Sequence, residues 1–200
     1  MSTRENPDPE HRSPLRRFGP VVVVALVVAV VGGYYLARPA EVVVAPGARA
    51  PEISLPLLGG GGRVTSSDLE GKILVLNFWG SFCPPCRDEA PILDRAHREY
   101  GDYGVVVLGI DVQRDSDAAA LRFADEFGMT YRLLKDRGGE LAATLEVNDR
   151  FLPQTFFVHR DGTFAEVEVA GLTTGNRTSF FGGLEWDELS EQLDSMLAAR

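Results

Sequence analysis

The 200-residue sequence predicts an α/β fold with a mixed central sheet and helices on both faces, preceded by a single N-terminal transmembrane helix. Three observations carry this. Between residues 73 and 127, apolar runs of strand length alternate with helical periodicity, the pattern of parallel strands joined by crossover helices. Later, two strand-like runs at 155–159 and 164–170 flank the turn Arg160-Asp161-Gly162, which calls for an antiparallel pair at one edge. Residues 18–37 carry no charge at all.

That uncharged run is the first element. Twenty helical residues rise about 1.5 Å each and span roughly 30 Å, the hydrocarbon core of a bilayer. The run is valine-rich, but a lone strand of that length leaves its backbone groups unsatisfied in lipid, so a helix is expected. Residues 1–17, polar, Pro-rich and carrying Arg4, Arg12, Arg16 and Arg17, read as a disordered cytoplasmic tail. The arginines lie close on the near side, which places the N-terminus inside and the remainder outside the cytoplasm. A cleaved signal peptide is the alternative, since 21–31 alone has a signal's length; its best cleavage patterns, ending at Ala45 and Ala50, each precede a proline. Residues 38–51, with Pro39, Pro46, Gly47 and Pro51, form a linker, and 52–200 a folded domain.

Within that domain, 53–58, a glycine turn at 59–62 and 64–65 read as strand, turn and short return strand. Residues 67–69 open a helical turn. The continuous apolar run 73–79 is a strand buried on both faces, followed by a helix over 84–100 that Pro91 should kink. A second buried strand covers 105–111, a helix 116–127, a short strand 131–134, a short helix 140–145, and a last amphipathic helix 186–197.

Charge and cysteine count exclude several classes. Residues 51–200 carry 14 Lys or Arg against 25 Asp or Glu. Such a surface repels phosphate backbones, so no nucleic-acid partner is expected. The two cysteines, Cys83 and Cys86, form one Cys-x-x-Cys; a structural zinc site needs about four ligands, and His11, His97 and His159 lack ligand spacing to them. A four-residue loop is a poor staple for the unfolded chain. A redox pair remains, with no metal and no cofactor. The reading from another class is a copper-binding chaperone with His159 as a third ligand to Cu(I).

The chemistry follows from position. Cys83-Pro84-Pro85-Cys86 sits where a buried strand turns into a helix. A thiolate there meets unsatisfied N–H groups and the positive end of the helix dipole, which lower its pKa. Pro84 suits the first helical position. Cys83 is the attacking thiol; Cys86, more buried, resolves the mixed disulfide.

The stretch Asn77-Phe78-Trp79-Gly80-Ser81-Phe82-Cys83-Pro84-Pro85-Cys86-Arg87-Asp88-Glu89-Ala90-Pro91 resembles the active site of the TlpA/ResA/CcmG (DsbE)-type membrane-anchored thioredoxin-like oxidoreductases, and the likeness covers about 46–170. It implies a thioredoxin-like fold. Phe151-Leu152-Pro153-Gln154-Thr155-Phe156 matches the family's cis-proline segment, which implies a cis Pro153 against the cysteines and the Leu152 backbone offered to a substrate chain. Pro84 and Pro85 are then substrate-side residues, and Trp79 either shields the site on that side or, as an aromatic at a strand end, belongs to the core. Glu89, three positions after Cys86, is implied as proton acceptor; its other reading is a first-turn glutamate favoured by the helix dipole. Asn77 stands where cytoplasmic thioredoxins carry a buried aspartate. Two departures are Phe82, where the family usually has tryptophan, and a long connection over 172–184. The resemblance implies protein substrates with disulfides, apocytochrome c among them, and a DsbD/CcdA-like membrane partner that restores the thiols. Reductase is the leading direction and dithiol oxidase the alternative.

Overall fold

The computed structural model describes residues 15–36, 44–167, 179–181 and 183–199. The chain divides into two compact units, 1–41 and 42–200. In the first, helix α1 (Leu15–Leu36) takes in nearly all of the predicted span 18–37 and the last three residues of the predicted tail. Its side chains are described over 22–33, and among the described residues no helix is long and apolar enough to cross a membrane. Residues 1–14 of the tail and 38–43 of the linker lie outside the described residues.

The second unit opens with a hairpin of β1 (Ser54–Pro56) and β2 (Arg63–Thr65), Leu55 facing Val64 across it. Gly59, Gly60 and Gly61 turn the chain at φ of 83°, 92° and 87°, the left-handed region that glycine enters without steric cost. One helical turn, Ser66–Leu69, leads into the main sheet.

That sheet holds β3 (Ile73–Trp79), β4 (Val105–Asp111), β5 (Arg132–Lys135), β6 (Gln154–Val158) and β7 (Ser179–Phe181) in the order β5-β4-β3-β6-β7. The β3–β4 and β4–β5 pairs are parallel, while β6 runs antiparallel to both β3 and β7. All seven residues of β3 are buried, as its unbroken apolar run requires of a strand covered on both faces. On one face Leu74, Leu76 and Phe78 pack with Phe156 and with Ala120 and Phe123 of α3 (Asp117–Glu126). On the other, Ile73 and Val75 pack with Leu93 and Ala96 of α2 (Pro84–Tyr100) and Leu189, Leu193 and Met196 of α5 (Trp186–Ala198). A short α4 (Glu140–Thr144) follows β5. Gly109 in β4 is required by packing, because a Cβ there would come within 2.7 Å of Leu133. Helix α2 runs on through Pro91, whose ring removes one backbone donor from its interior.

The edge of the sheet corrects one expectation. The predicted return strand 164–170 is not a strand over 164–167, and 168–170 lie outside the described residues. The hairpin starts, with Phe164 bridging Val158 and the Ala165 N–H donating to Phe157 O at 2.9 Å. The linker end then competes for it: Phe164 N–H donates to Ala48 O at 2.8 Å, and Gly47 N–H donates to Phe164 O at 2.9 Å. The outer partner of β6 is instead β7, which comes from the connection over 172–184.

Candidate active site

Strand β3 ends at Trp79, and the chain crosses 80–82 before α2 begins. Gly80 lies under the Phe82 ring, where an added Cβ would sit 2.7 Å from it. Cys83 is the N-cap of α2, with extended backbone (φ −96°, ψ 107°), and Pro84 follows at the first helical position. The cysteines form a disulfide with Cα atoms 5.4 Å apart. The Cys86 N–H donates to Cys83 Sγ at 3.3 Å. A sulfur so placed takes up one of the orphan donors of the helix start, which favours its thiolate once the bond opens. In the disulfide, Cys83 is 4% exposed and Cys86 3%, so the expected difference in burial is absent; what distinguishes Cys83 is the N-cap position.

Glu89 is 1% exposed on α2. Asn77 Nδ2 donates to its Oε2 at 2.6 Å and to Thr155 Oγ1 at 2.9 Å, and Thr155 Oγ1 donates to Glu89 Oε1 at 3.4 Å. Burial raises the Glu89 carboxyl to about 8, against the pull of hydrogen bonds from Asn77, the Leu184 backbone and Thr155. The reading of Glu89 as a first-turn residue held by the dipole does not describe this environment. Three residues after Cys86, it occupies the same side of the helix as the buried thiol.

The Leu152–Pro153 peptide bond is cis, and both residues are buried at the start of β6. Pro84 and Pro85 are exposed beside the disulfide. Trp79 takes the core position open to a strand-end aromatic and not a substrate-side one: it is 1% exposed, its ring packed 5.1 Å from that of Phe123. His159 follows Val158, which pairs with Leu74 near the start of β3, whereas the cysteines follow the other end of β3. The third ligand of the copper reading is therefore at the opposite end of the sheet.

Several residues carry no signal in the sequence. Thr155 lies directly across the β3–β6 register from Asn77, a relation between residues 78 apart in the chain. Arg114 places its guanidinium 3.8 Å over the exposed Phe82 ring and pairs with Asp149 at 3.0 Å, joining the loop before Cys83 to the loop before Pro153. Phe151, 62% exposed, stands on that second loop.

The chain is 30% identical over 113 residues to the thiol-disulfide oxidoreductase ResA of Halalkalibacterium halodurans, covering 56% of this chain and 62% of the relative. It is 31% identical over 134 residues to the thioredoxin-like protein YneN of Bacillus subtilis, covering 66% and 76%. The chain thus spans less than two thirds of the ResA relative's length. Among solved structures, a secreted Mycobacterium tuberculosis disulfide oxidoreductase homologous to E. coli DsbE superposes with a TM-score of 0.58 at 25% identity, covering 72% of this chain and 95% of that one. A thiol:disulfide interchange protein of the thioredoxin family from Chlorobium tepidum gives 0.62 at 20% identity, covering 76% and 97%, a likeness of fold. The fold is thioredoxin-like, and since the AhpC/TSA family model matches residues 46–167, more than half of its length, the chain belongs to the AhpC/TSA family.

Proposed function

We propose that this protein is a thiol–disulfide oxidoreductase that works outside the cytoplasm and reduces disulfides in exported proteins. The observation that carries the reading is the Cys83–Cys86 disulfide at the N-terminus of α2, with the Cys86 N–H on Cys83 Sγ. In the reduced pair, the Cys83 thiolate attacks one sulfur of a target disulfide, expels the other as a thiol and forms a mixed disulfide. Cys86 then loses its proton and attacks Cys83, releasing the second target thiol. Two electrons pass to the target and the pair ends oxidised. Glu89 takes up or returns the Cys86 proton. Leu152 and Pro153, with Pro84 and Pro85, form the surface along which the target chain lies.

The pair then needs a reductant, in this reading a membrane thiol-reducing partner of the DsbD/CcdA kind. Apocytochrome c is the substrate class the resemblance favours, so cytochrome c maturation is the proposed setting. Residues 18–37 anchor the chain in the bilayer with residues 1–17 in the cytoplasm. Support comes from the twenty uncharged residues, the arginines before them, and the name of the M. tuberculosis relative, which describes that protein as secreted. Carbonate extraction of membranes and intact mass of the mature chain test the anchor: release with the soluble fraction, or loss of about the first 45 residues, would replace it with a cleaved signal.

Direction is tested by the reduction potential of the Cys83–Cys86 couple. A value near about −270 mV, as in thioredoxin, supports a reductase; one near about −120 mV, as in the strong oxidant DsbA, makes it an oxidase.

A further inference from the structure

Beneath the active-site loop lies a buried ion pair that disulfide exchange does not itself require. Lys135, at the end of β5, is 2% exposed, and its register partner Asp111, at the end of β4, is fully buried. Lys135 Nζ is 2.7 Å from Asp111 Oδ2 and also donates to Val112 O at 3.0 Å and Asp115 O at 2.7 Å. An ammonium group has three donors, and all three are used.

The acceptors lead to the cysteines along two routes. Asp115, whose backbone Lys135 holds, turns its carboxylate toward the loop, where it accepts the backbone N–H of Ser81 and the Ser81 hydroxyl at 2.8 Å. Asp111 faces Trp79 across the β3–β4 register, and the Val112 N–H donates to Trp79 O at 3.1 Å. Lys135 is thus joined to the last residue of β3 and to the residue two before Cys83. The turn between them closes with the Cys83 N–H on Gly80 O at 3.0 Å.

Sheet stability alone is a weak reason for such a pair, since two buried charges are about as well replaced by apolar residues of similar volume. Among the described residues Asp111 Oδ1 is buried without a hydrogen-bond partner, and burial raises the carboxyl to about 7 despite Lys135.

We propose that Lys135 is a positioning residue for Cys83: through Asp115 and Ser81 it holds the turn over 80–83 in place and so favours the disulfide over the dithiol. Closing the disulfide, Cys83 and Cys86 lose two electrons and two protons to an acceptor such as oxidised glutathione, which becomes two glutathione thiols. A fixed turn raises the effective concentration of one thiol at the other. A loosened turn lowers it, and the couple becomes more oxidising.

The test equilibrates the full chain with glutathione buffers and measures the oxidised fraction for S81A, D115N, the apolar pair D111L/K135M, and S81A combined with that pair. S81A and D115N change partly exposed side chains and keep the test alive if the apolar pair fails to fold. Each of the first three is expected to lower the equilibrium constant for the disulfide about tenfold, a rise of about 30 mV. The combined variant should shift no further than the larger single effect, because all cut one chain of contacts. A parent-like potential in D115N or in the folded apolar pair, or shifts that simply add, would overturn the proposal and leave Lys135 as a cross-link between β4 and β5. The proposal rests on the redox reading of Cys83 and Cys86, and the two fail separately: the parent's own potential tests that reading, and the variant-to-parent difference tests Lys135.

Discussion

Asn77 Nδ2 lies 2.6 Å from Glu89 Oε2, with both residues 1% exposed. An amide supplies a hydrogen bond but no charge, so it lowers the cost of a buried carboxylate without removing it. The carboxyl accordingly holds its proton to about pH 8, close to the ordinary thiol value of about 8.5. A carboxyl that holds its proton through the neutral range is suited to general acid–base work there.

Glu89→Gln keeps the shape and removes the proton carrier. Resolution of the mixed disulfide by Cys86 should slow on the order of 10²-fold, and the rise in rate around pH 8 should flatten. Single-turnover reduction of a disulfide-containing protein between pH 6 and 9.5 measures both. An unchanged rate and profile would reduce Glu89 to a packing role.

The same carboxyl predicts how stability varies with pH. Its folded value of about 8 exceeds the unfolded value of about 4.3, so the folded state binds more protons between them. The contribution is complete below about pH 4.3 and is lost as pH rises toward 8, at up to about 1.4 kcal/mol per pH unit. Asp111, raised to about 7, acts in the same direction. Urea titrations from pH 4.5 to 8.5 should show parent stability falling and the Glu89→Gln protein falling less steeply. Parallel curves would contradict the assignment.

Asn77→Asp places a second carboxyl within hydrogen-bonding distance of the first. Two buried carboxyls so close cannot both ionise, and they titrate as a pair. The variant should come nearest the parent at about pH 3.5, below the unfolded carboxyl values, and be less stable by about 3 kcal/mol at pH 8, the scale of an uncompensated buried charge. A loss equal at both pH values would indicate a steric effect instead.

What the sequence made legible was local. The cysteine pair needed only a buried strand run ahead of it and Pro84 after it, and the parallel direction of β3 and β4 followed from two apolar runs separated by a helix of crossover length. The failures all involve partners distant in the chain. The return segment beyond Phe164 does not continue as a strand over 164–167, Phe164 sharing its backbone groups with 47–48, and the edge strand β7 is a three-residue segment with no run long enough to stand out from a loop. For Trp79 the sequence left rim and core equally open, and only the position of Phe123 on α3 shows that its ring is enclosed. Likewise, the pairing of Lys135 with Asp111 exists only across the β4–β5 register.

The order of attack separates the cysteines. Cys83→Ser should abolish exchange, since the N-cap sulfur is lost. Cys86→Ser should still form the first bond but not resolve it, and a mixed disulfide with the target should accumulate. Mass spectrometry under non-reducing conditions reads the adduct. Accumulation on Cys83→Ser in place of Cys86→Ser would reverse the roles.

Arg114 gives a last prediction, about the surface around the sulfurs. Its guanidinium stacks 3.8 Å over Phe82 and bonds Asp149 through both side chain and backbone carbonyl, so one residue joins the loop before Cys83 to the loop before Pro153. The ion pair is half exposed and contributes about 0–1 kcal/mol, and the stacking about 0.5–1 kcal/mol. Arg114→Ala should therefore leave the melting temperature nearly unchanged while freeing both loops. With a protein disulfide, kcat/KM should fall about threefold to tenfold, mostly through KM, whereas a small disulfide that touches neither loop should react at the parent rate. Arg114→Lys keeps the charge but loses the planar group that stacks on the ring, and should fall between the two. Equal losses on large and small disulfides would place the effect at the sulfurs themselves and not on the target-binding surface.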